Sequence, residues 1–309
     1  NATSALPQPG PGQAINPLTG LPVPQAALEQ RMFLVAIGNN PSARPQSGLS
    51  HADLVYELPA EGGITRFLAL YWAGEAEVIG PVRSSRHYFL DLALERQAVW
   101  VHAGGSPQHY AQIGKVDVPD LDDVRGAPGV FWRSEDRRRP DNLYTSSERV
   151  RSVIRDKGWE RSPVIGRPWQ FALPDQIDGE PATSVSIDWP GGETVVFDYG
   201  AEGLYDQRRG GKLVTDQATG APVRAANLIV QYVQARRIAG DAEGRLDVEL
   251  VGRGEIDIVT AGKVRKGRWR KVDRPSATVF SESDDSPLRL VPGQTWVLIV
   301  PPGAEVEYR

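Results

Sequence analysis

Three short stretches near the start of the chain are apolar almost without interruption. Residues 33–37, 54–58 and 67–72 are bounded by turns rich in Gly, Asn, Pro or charge. Runs of this length predict strands buried on both faces, and 67–72, which has no polar face, predicts a central one. Residues 98–102 predict a further strand that ends on His102. Between these two, residues 84–96 carry Tyr88, Leu92 and Glu95 at helical spacing with Phe89 and Ala93 alongside, which predicts a helix capped by Ser84 or Ser85. Ser106-Pro107 predicts the N-cap and first turn of a short helix through Ile113. Ser146 or Ser147 predicts the cap of another, running to about Lys157. Strands alternating with helices indicate an α/β unit with a mixed sheet.

Beyond residues 162–181, where prolines are frequent and periodicity is lost, the pattern changes. Residues 194–199, 228–233, 246–251, 256–260, 264–269, 277–280 and 296–300 are strand-like and separated by Gly, Asp or Pro turns. They predict a small antiparallel all-β unit. The expected class is therefore α+β: an N-terminal α/β domain over 17–165, a linker over 166–185, and a smaller β-rich domain over 186–309. Residues 1–16 are small, polar and rich in Pro and Gly, and are expected to form a disordered tether. No initiator Met or signal peptide precedes them, which suggests that an upstream piece has been removed.

Composition narrows the function classes. A net charge of −4 over 309 residues gives no support for general polyanion binding. No apolar run approaches the ~18 residues of a membrane span. Cysteine is absent, and the four histidines, His51, His87, His102 and His109, show no metal-binding spacing, so no metal is expected. Both glycine-rich phosphate-loop signatures are missing, and no cofactor is expected. No recognisable nucleic-acid-binding module is present, so nucleic acid is not an expected partner.

The candidate chemistry lies in the turns at strand ends. Arg44, Arg66, Arg83 and Arg86 could hold an anionic group, with Arg83, Ser84 and Ser85 just ahead of the predicted helix, where free backbone N–H groups favour anions. The bland alternative pairs these arginines with Asp53, Glu57 and Glu61. Glu57 and Glu61 could also serve as the carboxylate pair of a glycosidase, although two such residues in one window are common. His102 and Ser106 faintly suggest a nucleophile elbow, but the Gly-x-Ser-x-Gly string is absent and Ser106 is explained as an N-cap. The basic strand with Lys266, Arg268 and Arg270 on one face could touch an anionic polymer, though a solvated, guarded edge is the commoner cause of such a pattern.

Residues 43–72 (ARPQSGLSHADLVYELPAEGGITRFLALYW), 79–95 (IGPVRSSRHYFLDLALE) and 101–107 (VHAGGSP) resemble the YerB-like family of bacterial lipoproteins. The later strings YDQRRGGKLVTDQATG, NLIVQ, GKVRKGRW and LVPGQTWVLIVP resemble that family's second domain, in the same order. The match is looser at 140–144, where the family leads us to expect His in place of Asp141. The resemblance implies domains of unknown function, a location outside the cytoplasmic membrane, and a lipid anchor ahead of residue 1. Taken together, a ligand-binding or scaffold role at the cell envelope is expected. Arg44, Arg66, Arg83 and Arg86 would bind a peptide carboxylate or a wall-polymer phosphate. Glu57, Glu61, His102 and Ser106 would orient the rest, and Asn142 and Tyr144 would line the cleft from the later loop. The alternatives are a cell-wall hydrolase using Glu57 and Glu61, with His102 as a further catalytic candidate, and a purely structural partner of membrane-bound wall enzymes.

Overall fold

The computed structural model describes residues 5–309. It is mostly sheet, with three α-helices. The principal strands in chain order are β1 (Phe33–Gly38), β2 (Leu54–Pro59), β3 (Thr65–Tyr71), β4 (Val99–His102) and β5 (Asp120–Asp122). They continue with β6 (Ser184–Asp188), β7 (Thr194–Tyr199), β8 (Tyr205–Arg209), β9 (Asn227–Tyr232) and β10 (Gly252–Thr260). The last are β11 (Lys263–Lys271), β12 (Thr295–Val300) and β13 (Glu305–Tyr308); the helices are α1 (Phe89–Arg96), α2 (Pro107–Ile113) and α3 (Ser147–Asp156).

One mixed sheet runs through both halves of the chain in the order β11-β10-β9-β12-β2-β3-β1-β4-β5. The join is β12 against β2, parallel, with Trp296 opposite Val55 and Leu298 opposite Glu57. The expectation that all strands after the proline-rich segment form their own antiparallel unit is corrected here. β6, β7, β8 and β13, with two short neighbours, make a separate antiparallel sheet, and Ala235–Arg237 pairs apart with Leu246–Val248, while β9, β10, β11 and β12 complete the first sheet. The reason is hydrophobic: β9 and β12 are buried along nearly their whole length and need cover on both faces. Residues 166–185, expected as a linker, also take part, since Glu180–Pro181 pairs with β11.

Two cores flank the large sheet. On one face Phe67, Val55 and Trp296 pack against Val195, Phe197 and Tyr205 of the small sheet and Val150 and Ile154 of α3. On the other, Leu34, Leu68 and Trp100 pack against Phe89, Leu90 and Ala93 of α1. The central position expected for β3 is observed, between β2 and β1.

Three local expectations change. The tether expected over 1–16 does not reach residue 16, because Gln13–Ile15 pairs with Pro22–Pro24 and Asn16 is buried, its Nδ2 donating to Asp53 Oδ1 at 2.6 Å. Residues 1–4 of that expected tether lie outside the described residues. The first helix begins at Phe89, not near Ser84, and no side chain caps it. Residues ahead of it pair instead with the turn after β4: Ser85 N donates to Gly104 O at 2.9 Å and Ser106 N to Ser85 O at 3.2 Å. Ser106 and Ser146 do cap α2 and α3, accepting from His109 N at 3.1 Å and Arg149 N at 3.3 Å.

Candidate functional site

β1, β2, β4, β5, β9 and β12 all run the same way, so their carboxyl ends share one rim of the sheet. That rim is where open α/β sheets place their ligand sites. Every expected site residue lies on or near it, but not in one cleft. In the register of β1, β2 and β3, Arg66 faces Gly38 and Leu58, whereas Glu57 faces Phe67. Because side chains alternate across a strand, Glu57 and Arg66 project from opposite faces. The single Arg/Glu cleft expected from the sequence is therefore two polar groups.

The first lies between the sheets. Glu57, fully buried, accepts through Oε1 from Thr65 Oγ1 (2.7 Å), Asn39 Nδ2 (3.3 Å) and Arg209 Nη2. Its Oε2 has no partner among the described residues. Asn39 Oδ1 accepts from Arg44 Nε at 3.1 Å and Gln46 Nε2 at 3.0 Å, and Arg44 pairs with Glu193. Asn39, Arg44, Thr65, Glu193 and Arg209 line a cleft of about 180 Å³ beside the turn at Gly62 and Gly63. Sequence reasoning missed Asn39, Glu193 and Arg209. The one available signal for Arg209 was its place in the family-like string at 205–220.

The second group is on the helix face. Glu61 pairs with Arg86, whose Nε donates to Glu61 Oε2 at 2.7 Å. Burial raises the Glu61 carboxyl, but its hydrogen bonds and charge interaction with Arg86 outweigh that and leave it below the usual carboxylate range. A carboxyl held ionised in this way is a poor general acid, which leaves Glu61 only the ionised role of a glycosidase pair. Among the described residues, the buried Arg66 makes one side-chain hydrogen bond, from Nη1 to Thr65 O at 3.2 Å, while its Nε has no partner. Burial first, then Arg83 and Arg86, lower its pKa to about 10. Arg83 Nε is also without a hydrogen-bond partner among the described residues and is ion-paired with Asp141 Oδ1 at 3.4 Å. Both arginines border Gly38: Arg66 is its neighbour in register, and a Cβ there would lie 2.7 Å from Arg83 Cγ.

His102 and Ser106 belong to neither group. His102 is stacked on Trp100 and held between Gly104 O (2.8 Å) and Asp120 Oδ1 (2.7 Å). Ser106 is occupied as the α2 cap, and no imidazole is bonded to its hydroxyl among the described residues, so it has no base to activate it. Asn142 is used within its own loop, accepting from Arg133 Nη1 and donating to Ser134 O, both at 3.0 Å. Tyr144 stacks on Trp132. The later loop thus reaches Arg83 through Asp141. In β11, Lys266 pairs with Asp257 at 2.7 Å, while Arg268 stays mostly exposed, 3.6 Å from Asp285.

Two mixed-sheet halves fused through one large sheet, with polar groups gathered at its rim, define the class to which this chain is similar. Family models for the N-terminal and C-terminal domains of a protein of unknown function (DUF3048) match residues 18–160 and 185–297. The chain belongs to that family. Among its relatives is the Bacillus subtilis (strain 168) protein named "Putative lipoprotein YerB", 35% identical over 293 residues, covering 92% of this chain and 86% of the relative. The crystal structure of YerB protein from Bacillus subtilis superposes with a TM-score of 0.83 at 32% identity, covering 95% of this chain and 99% of that one. No helix among the described residues is long and apolar enough to cross a membrane.

Proposed function

We propose that this chain is the outward-facing part of a lipid-anchored envelope protein that binds an anionic group of a wall polymer or peptide through Arg66 and Arg83. The observation that carries this is the buried Arg66 guanidinium, whose Nε–H has no acceptor among the described residues, beside Arg83, whose Nε is ion-paired with Asp141 at 3.4 Å but makes no hydrogen bond there. Buried donors are almost always satisfied, and two without a hydrogen bond on adjacent cations match what a phosphate or carboxylate supplies. Arg86 is already paired with Glu61 and is not counted among the binding groups. The name of the Bacillus subtilis relative supports the lipid anchor.

Incubation of the purified chain with isolated cell-wall sacculi tests this reading. Wild type is expected to pellet and the Arg83→Ala variant to stay in solution, with no soluble fragments released by either. Release of fragments that stops in Glu57→Gln would establish the hydrolase instead. Pelleting undiminished in Arg83→Ala would dismiss the arginine site.

A further inference from the structure

Two imidazoles and a carboxylate outside the arginine group converge where β4, α2 and β5 meet. One ligand atom each from His102, His109 and Asp120 lies within 4.8 Å of the others. Both histidines are fully buried, and the Asp120 side chain is 21% exposed, which leaves a way in from solvent.

The hydrogen bonds around the rings decide which nitrogens are free. A carbonyl only accepts, so His102 Nδ1, 2.8 Å from Gly104 O, carries a proton and Nε2 is the atom turned to Asp120. His109 Nδ1 lies 2.9 Å from Ser85 Oγ, which accepts from Trp100 Nε1 at 3.0 Å and faces Arg86 O at 3.3 Å. If Ser85 donates to that carbonyl and accepts from both rings, the cluster makes one hydrogen bond more than if Ser85 donates to His109. In that arrangement His109 Nε2 is a bare lone pair. It is also buried and has no partner among the described residues. A ring nitrogen fixed by a backbone carbonyl or hydroxyl on its far side is how metal-binding histidines are oriented.

We propose that His102, His109 and Asp120 bind one divalent transition-metal ion, zinc by donor type, through the two Nε2 atoms and a carboxylate oxygen. Two nitrogens, one oxygen and an open fourth position suit zinc and leave room for water. The surroundings are built for these ring positions. A Cβ on Gly105 would sit 2.4 Å from His109 Cδ2, so only glycine lets that ring stand there. Asp122 pins the same turn, accepting from Gly104 N at 2.7 Å and Tyr110 Oη at 2.9 Å. His102 Nε2 and Asp120 Oδ1, now 2.7 Å apart, would open to roughly 3.3 Å around an ion with ~2.0 Å bonds. The proton they share leaves to solvent as the ion enters. This site is independent of the anion reading and touches that group only through Ser85, whose carbonyl accepts from Arg86 Nη1 at 2.7 Å.

The test strips the purified chain with a chelator, equilibrates it with zinc, removes free metal, and measures bound zinc together with the thermal midpoint. Wild type is expected to retain about one ion per chain and to melt higher with zinc than without. His109→Gln and Asp120→Asn are expected to bind at least ~10-fold more weakly, and His51→Gln, at an exposed histidine, to match wild type. Should His109→Gln fail to fold, the partly exposed Asp120→Asn decides. No retained zinc in wild type, or retention unchanged in Asp120→Asn, would overturn the proposal.

Discussion

Replacing Arg66 with methionine is expected to make the folded chain more stable while removing its anion binding. Burial and two neighbouring arginines bring the Arg66 pKa down to about 10, and the group is charged at pH 7 in both the folded and unfolded chain. The lowered value therefore counts wholly against the folded state. A fall of roughly 2–3 pH units at ~1.4 kcal/mol each sets about 3 kcal/mol against folding with Arg66 charged. Against this the native side chain has a single long hydrogen bond to Thr65 O. Methionine keeps an unbranched stem of similar length beside Leu58 and needs no partners, so part of that penalty is recovered. The expected gain is roughly 1–3 kcal/mol, seen as a higher urea midpoint with an unchanged slope. Phosphate should raise the midpoint of wild type and not of Arg66→Met. A loss of about 2 kcal/mol or more in Arg66→Met would refute the reasoning, because it would mean that internal contacts already satisfy the guanidinium.

A second prediction concerns the buried pair that ties α1 to β11. Glu95 Oε2 takes Lys271 Nζ at 2.7 Å and Thr278 Oγ1 at 2.6 Å, so Lys271→Met strands a buried carboxylate and should cost about 3 kcal/mol in denaturant unfolding. Burial raises the Glu95 carboxyl, but Lys271 and Arg96 outweigh it and hold it below the ordinary value of 4.5. Its folded pKa is thus depressed: the stabilisation is complete above pH ~4.5 and is lost as pH falls through the folded value. An acid titration of stability should show that loss in wild type and less of it in Lys271→Met. In the turn beside the inter-sheet cleft, both Gly62 and Gly63 have positive φ. A Cβ on Gly63 would meet Gly191 O at 2.0 Å, whereas one on Gly62 meets nothing within 4 Å. Gly63→Ala should therefore lower the thermal midpoint several-fold more than Gly62→Ala, whose cost is about 1 kcal/mol. Ser106→Ala should lose about 1 kcal/mol as a missing cap and leave sacculus pelleting intact; a loss of pelleting would give Ser106 a ligand role.

Much of the fold could be read along the chain because burial writes itself into local pattern. β1, and β3 from Phe67 onward, are apolar at every position since both faces are covered, and Ser106-Pro107 and Ser146 mark helix starts through contacts three residues away. The start of α1 could not be read that way. Ser85 looks like a cap, but its backbone is taken by Gly104 and Ser106 and its hydroxyl by Trp100 and His109, and those partners meet it only across the sheet.

The candidate residues were found for the same local reason, as polar groups punctuating apolar strands. Their grouping was not. Alternation alone separates Glu57 from Arg66 once the β2–β3 register is known, but the register is set by pairing and not by either strand. Arg209 reaches Glu57 from 152 residues away, and Lys271 reaches Glu95 from 176. By itself the sequence determined which segments are strands and which turns carry charge, since propensity and burial act over a few residues. Only the tertiary structure decided that β9 and β12 extend the first sheet, and that Glu57 with Arg44, the group of Arg66, Arg83 and Arg86, and His102 occupy three separate settings. Side-chain pairing depends on distance in space, and the close packing that sets it joins residues the chain keeps far apart.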